Sequence, residues 1–167
     1  VFVAWRDFEL GRSETYFRAS GDAGATFAPT KNLSGDPLRP SERQQLAVSG
    51  DDVYIAWDDY RPDEGLDSEI YLRKSADAGA TFASAMHFPA YGASSRDASL
   101  AVDGQTVQLA WLDLAPGGDD VFVAGCLDGG SSFGRPANVS ATEGPARTAR
   151  AAIIGSNVYI VRESRRE

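Results

Sequence analysis

Cysteine, histidine and methionine each occur once in this chain, and positive charge is in deficit. Each scarcity removes a class of explanation. With Cys126 alone no intrachain disulfide can form. With His87 alone there is no partner at metal-ligand or triad spacing, so His87 reads as a strand surface residue rather than a catalyst. Lys and Arg number 16 against 24 Asp and Glu, a formal net charge of −8. Without a cationic excess, neither a phosphate-neutralising nucleic-acid surface nor adsorption to an anionic membrane is expected. No apolar run approaches the ~18 residues that cross a bilayer as a helix, so no membrane insertion is expected. The chain also lacks G-x-S-x-G, a P-loop and a strand-to-helix G-x-G-x-x-G, and we expect no cofactor and no metal. No segment sustains a 3.6-residue apolar period, which predicts almost no helix. No leader is evident, and Val1 opens directly on an apolar strand-like run, which we read as a cut or processed end.

What is abundant is repetition. Ser20-Gly-Asp22-Ala-Gly24-Ala-Thr26-Phe27 returns as Ser75-Ala-Asp77-Ala-Gly79-Ala-Thr81-Phe82, and again in altered form as Cys126-Leu-Asp128-Gly-Gly130-Ser-Ser132-Phe133. A copied octet at a period of roughly fifty residues marks one supersecondary unit repeated along the chain. Its chemistry is that of a turn. Ser hydroxyl and Asp carboxylate two residues apart can bond the backbone of a tight reversal, and Gly24, Gly79 and Gly130 are expected at φ > 0. Thr then opens the next strand and Phe plugs into the sheet. None of this needs a ligand.

Four strand-like segments recur in each unit. Ahead of a Gly-rich hairpin turn lies strand A (Gln45–Val48, Ser99–Val102, Ala151–Ile154). Strand B follows, with Val1-Phe-Val-Ala-Trp5, Val53-Tyr-Ile-Ala-Trp57, Val107-Gln-Leu-Ala-Trp111 and Val158-Tyr-Ile-Val161. Strand C (Thr15–Ala19, Ile70–Lys74, Val121–Gly125) leads into the octet, and strand D runs from the octet Phe (Phe27–Leu33, Phe82–Phe88, Phe133–Val139). Four antiparallel strands in about fifty residues is the content of a propeller blade, and aromatics at fixed places fill the gap between stacked sheets. A β-sandwich of similar strands is the alternative, but it does not demand a copied turn in every unit.

The octet resembles the Asp-box, or BNR repeat, of the sialidase-like β-propeller superfamily, and the resemblance covers nearly the whole chain. It implies an all-β fold of four-stranded antiparallel blades, with the boxes at the blade periphery, away from any active site. The fuller pattern, V-Y-I-A-W-x-D, then E-I-Y-x-R-x-S, then the box, looks like surface or exported propeller repeats of microbes. That implies an extracellular or cell-surface location. Sialidases of this superfamily carry an arginine triad, a Tyr–Glu nucleophile pair and an Asp acid/base, with an early F-R-I-P-type segment. That segment is absent here. Phe17-Arg18-Ala-Ser and Leu72-Arg73-Lys-Ser come nearest, and both run straight into an octet. No catalytic residue is carried over.

Arg43, Arg96 and Arg147 each precede an A strand and form a candidate anion-binding set, able to grip carboxylate or sulfate bidentately. The competing reading pairs each with a neighbouring acid such as Glu42 or Asp97. Asp7, Asp59 and Asp113 lie two residues beyond each Trp, and Glu14, Glu69 and Asp120 open each C strand. Their repetition favours loop capping over a Ca²⁺ site or carboxylate catalysis. The B–C loop from Asp58 to Glu69, with Asp63, Glu64 and Asp67, is the most acidic stretch. Tyr60 and Tyr91 are candidate exposed aromatics of a binding face.

The strand order B-C-D, A-B-C-D, A-B-C-D, A-B divides the chain into blade 1 at 1–35, blade 2 at 43–90, blade 3 at 96–141 and the start of blade 4 at 147–162. About three blades are too few for a closed ring. We expect either part of a larger ring or half of a six-bladed one completed by a second copy, a homo-oligomer. The leading functional expectation is a non-catalytic module for binding or scaffolding, with a carbohydrate or protein ligand. Its rivals are a sialidase-type glycoside hydrolase whose catalytic residues lie in other blades or across a dimer, and a purely structural self-assembling repeat.

Overall fold

The computed structural model describes residues 1–9, 12–35, 39–61, 67–89, 94–115, 118–140 and 146–164. These form thirteen strands and no helix. Blade 1 holds β1 (Phe2–Glu9), β2 (Arg12–Ala19) and β3 (Lys31–Asn32). Blade 2 holds β4 (Ser41–Ser49), β5 (Asp52–Arg61), β6 (Asp67–Ser75) and β7 (Met86–Phe88). Blade 3 holds β8 (Ser95–Asp103), β9 (Thr106–Ala115), β10 (Gly118–Cys126) and β11 (Ala137–Asn138). Blade 4 holds β12 (Ala146–Ile154) and β13 (Asn157–Ser164). Each blade is an antiparallel meander in chain order, with no crossover. The fold is therefore all-β, built from propeller blades.

The apolar side chains alternate across the B strands and pack between sheets rather than within one. Phe17 and Leu33 of blade 1 meet Val53, Ile55 and Trp57 of blade 2. Tyr54, Ala56, Leu72 and Phe88 of blade 2 meet Val107, Leu109 and Trp111 of blade 3. Ala110, Leu112 and Val121 of blade 3 meet Ala149 and Ile160 of blade 4. Alternate residues of one strand thus serve two successive seams, the period-2 consequence of a sheet covered on both faces. β4, β8 and β12 pack against one another in turn, so the A strands gather on the inner side.

Strand lengths differ from expectation: the B and C strands run on toward the loop that joins them, β5 to Arg61 and β9 to Ala115, with β6 starting at Asp67 and β10 at Gly118. The A strands start earlier than the alternation suggests, at Ser41, Ser95 and Ala146. Each carries a bulge near its start, between Glu42 and Gln45, between Arg96 and Ser99, and between Ala146 and Thr148. An extra residue breaks the period of two and hides the pairing on its far side. The D strands are shorter than expected. One bond at the exit of each octet (Ala28 N–H to the Ala19 carbonyl, and its equivalents from Ala83 and Gly134) is followed by a gap. Pro29 and Pro136, with no N–H to offer, fall in two of these gaps at an edge that needs only one ladder.

Candidate functional site

The repeated residues hold the blades together. In the first octet the Ser20 hydroxyl donates to Asp22 at 2.7 Å and accepts the Gly24 N–H at 2.8 Å. Asp22 accepts both the Thr26 N–H (2.8 Å) and the Thr26 hydroxyl (2.6 Å). Ser75, Asp77, Gly79 and Thr81 repeat these bonds. In the third octet the Cys126 sulfur accepts the Gly130 N–H at 3.0 Å, while Asp128 still receives the Ser132 N–H and hydroxyl. Hydroxyl and amide donors from Thr81 and Ser75 hold the Asp77 carboxyl down at about 2, and those of Ser132 hold Asp128 at about 2. The same bonds push Asp22 below the usual carboxylate range. Burial raises the Cys126 thiol. Gly24, Gly79 and Gly130 have φ of 96°, 81° and 82°, each preceded by another left-handed residue (Ala23, Ala78, Gly129). The turns also reach the neighbouring blade. Phe82 packs edge-on against Phe17, Phe133 against Phe88, and the Tyr54 hydroxyl donates to the Gly129 carbonyl at 2.9 Å. Arg18 donates to the Ala28 and Phe27 carbonyls, so it belongs to the turn's exit.

The repeated acids form a polar row across each blade. Asp7 faces Glu14, Asp59 faces Glu69, and Asp113 faces Asp120 in register. The inner member takes a hydroxyl from the A strand, Ser41 to Asp59 (2.6 Å) and Ser95 to Asp113 (2.8 Å). The outer member binds the D strand: Glu14 accepts from Asn32, Asp120 from Asn138 (2.8 Å), and Glu69 lies 2.8 Å from His87 Nε2. His87 therefore stands where the other blades have Asn, and it ends an aromatic ladder, Trp57–Tyr71–His87, matched by Trp5–Tyr16 and Trp111–Phe122.

Octets and A–B hairpins share one end of the sheets. At the opposite end, where A strands start and B strands finish, a pocket of about 460 Å³ opens between blades 2 and 3. Glu42 and Arg43 of β4, Asp58 and Tyr60 of β5, Ser94, and Arg96 of β8 line it. Arg43 Nη1 binds Asp58 Oδ2 at 2.9 Å and lies 3.6 Å from Glu42. Arg96 pairs with Asp119, whose side chain is mostly buried. Burial lifts the Asp58 carboxyl to about 6, against the lowering effect of the Asp97 N–H and of Arg43. Arg43 and Asp97 themselves have φ of 53° and 56°, left-handed values that non-glycine residues adopt only under constraint.

The pocket brings together Arg43 and Arg96 but not Arg147, which is exposed and absent from its lining. The three arginines are also not equivalent. Arg43 occupies its bulge where blade 3 has Asp97, while Arg96 aligns with Glu42. Tyr60 is at the pocket. Tyr91, Asp63 and Glu64 lie outside the described residues, and Asp58 to Arg61 belong to β5 rather than to a loop. Asp58 was legible only as part of an acidic run. The sharper signal was its failure to repeat, since Arg6, Leu112 and Glu163 stand at its place in the other blades.

No protein-family model and no curated protein matches the chain. Solved structures do. The alpha-L-arabinanase of Penicillium chrysogenum, complexed with arabinobiose, superposes with a TM-score of 0.60 at 12% identity, over 98% of this chain and 53% of that one. The NanB sialidase of Streptococcus pneumoniae gives 0.55 at 12% identity, over 90% and 23%. A thermostable family-43 glycoside hydrolase gives 0.54 at 11% identity, over 96% and 61%. The chain spans less than two thirds of each. What the chain shares with them is the β-propeller fold, and at such identity the likeness is one of fold alone.

Proposed function

We propose that the chain is a non-catalytic propeller module that binds a hydroxyl-rich ligand, a carbohydrate or a polar protein segment, in the pocket between blades 2 and 3, at a cell surface or outside the cell. The octets are read as Asp-box turns, structural staples remote from this seat. One observation carries the reading. The repeated polar groups are engaged in holding the blades, whereas Arg43, Arg96, Asp58, Glu42 and Tyr60 converge on one pocket. Their formal charges balance, two positive and two negative. Arginine–carboxylate pairs held in place offer oriented donors and acceptors for vicinal hydroxyls, and Tyr60 adds an apolar face with a polar tip. Calorimetric titration with neutral oligosaccharides should show binding that Arg96→Ala and Tyr60→Ala each weaken about tenfold or more, a loss of about 1.4 kcal/mol. Undiminished affinity in both variants would remove the pocket from consideration.

A hydrolase remains the second reading, favoured by the lifted Asp58 carboxyl, since a glycosidase acid needs such a value. Against it stands accessibility, because the Asp58 side chain is only 2% exposed. Turnover of aryl glycosides that disappears in Asp58→Asn would replace the binding reading with this one.

A further inference from the structure

The charge balance of the pocket hangs on one buried carboxyl. Asp58 Oδ2 accepts the Arg43 guanidinium at 2.9 Å and the backbone N–H of Asp97 at 2.9 Å. Arg43 sits in the bulge of blade 2 and Asp97 in the bulge of blade 3, and both are the left-handed residues of those bulges. Asp58 Oδ1 is buried without a hydrogen-bond partner among the described residues. A buried carboxylate with an unsatisfied oxygen, joining two constrained bulges at the edge of a pocket, is a costly arrangement that nothing in the repeat requires.

We propose that Asp58 is a proton-operated gate on Arg43. As a carboxylate it keeps the guanidinium neutralised and the pocket suited to uncharged, hydroxyl-rich ligands; once protonated it releases Arg43 to a ligand bearing a carboxylate or sulfate. This rests on the reading of the pocket as a ligand seat. Charged groups surround Asp58 on every side. β4 contributes Glu42 and Arg43, and Arg6 of β1 binds Glu42 at 2.9 Å. β5 contributes Asp59, held by Ser41. β8 contributes Arg96, paired with Asp119 of β10, and Asp97, which Arg150 of β12 approaches to 3.2 Å. Arg96 thus has its own acid, and Arg43 is the cation whose nearer partner, at 2.9 Å, Asp58 neutralisation removes, leaving it Glu42 at 3.6 Å, which Arg6 shares. By linkage, an anion near Arg43 disfavours the ionised Asp58, so proton and anion strengthen each other's binding. Since burial holds the Asp58 carboxyl near 6, anion affinity rises as pH falls through that value.

The test titrates the 167-residue chain with glucuronate, and with glucose as the uncharged counterpart, at pH 5.0 and 7.5. We expect glucuronate to bind about tenfold tighter at pH 5.0, equivalent to a one-unit rise of the Asp58 pKa on binding, with glucose unchanged. In Asp58→Asn, glucuronate should bind equally at both pH values, at the strength the wild type reaches in acid. Glucuronate affinity independent of pH in the wild type, or an unchanged pH dependence in Asp58→Asn, overturns the gate. Carbon-13 NMR of the wild-type Asp58 carboxyl and the Arg43 guanidinium reads the gate without ligand and without a variant that must fold. A shared midpoint near 6 supports it, and an Arg43 signal that ignores Asp58 overturns it. Failure of both sugars to bind at either pH, with that shared midpoint present, sinks the pocket reading and the ligand half of the proposal while leaving the Asp58–Arg43 coupling standing.

Discussion

The octet glycines carry two separate demands, and a substitution pair separates them. A Cβ on Gly79 would lie 2.5 Å from the Phe17 ring of the preceding blade, whereas one on Gly24 meets only Val1 Cγ2 at 3.8 Å. Gly24→Ala therefore costs only the left-handed backbone, about 1 kcal/mol. Gly79→Ala adds a collision at a packed seam and should cost about 3 kcal/mol in urea unfolding. Equal losses would show that the turns do not press on their neighbours. The octet acids make a prediction in pH. Their native carboxyls lie below the ordinary 3.8, so the stabilisation they give is present above that value and fades as pH falls through about 2 for Asp77 and Asp128. Carboxyl NMR should show both still ionised at pH 3, and midpoints near 4 would contradict the bonding described. Much of this was legible in the sequence, because a turn recognises residues two to six positions apart. The Phe17 contact was not, since it joins residues of different blades.

Among the elements, the B and C strands were placed correctly from sequence but run on past the expected bounds, β5 to Arg61 and β9 to Ala115, while the A strands were met only in their second half and the D strands proved short. In blades 2 and 3, B and C are central and paired on both sides, so side-chain alternation marks where they lie. A strands carry bulges, and D strands are edges with interrupted ladders. Arg43 stands one residue nearer Gly50 than Arg96 stands to Gly104, so it occupies its bulge where blade 3 has Asp97. Where the bulges of blades 2 and 3 meet, Asp58 gives a second pH prediction of opposite sign. Its native carboxyl is raised from 3.8 to about 6, so its contribution to stability is fully present below 3.8 and is lost as pH rises through about 6. A shift of that size corresponds to about 3 kcal/mol. Thermal melts should find the wild type gaining stability between pH 7.5 and 5, and Asp58→Asn should flatten that gain by several degrees. An identical pH profile in the variant would mean that the buried carboxyl is not the source.

At the scale of the molecule, the seams repeat but the outer faces of the array are bare. Tyr54, buried against the third octet, has its equivalent in Tyr159, which is 50% exposed beside Val161 at 67%; Val53 and Ile55, buried against blade 1, have theirs in Val1 and Val3, at 53% and 40%. These are the two halves of the contact that the chain makes internally at every seam. As a separate 167-residue molecule it is expected to self-associate through them, with a light-scattering mass of at least twice 17.8 kDa. A stable monomer at micromolar concentration would show that solvent is tolerated there, and Tyr159→Lys should produce that monomer if the faces are joined. Such association is the homo-oligomer that the strand arithmetic anticipates.

By itself the sequence determined the repeat, the order of thirteen strands and the chemistry of the turns, because all three depend on neighbours along the chain and on a period of two. Tertiary structure alone decided which charges meet. Asp58, Arg43 and Asp97 come from three strands in two blades, and the bulges that aim them break the very alternation from which register is read. Coulomb attraction and burial act through space, so the pocket's chemistry became visible only once the blades were stacked.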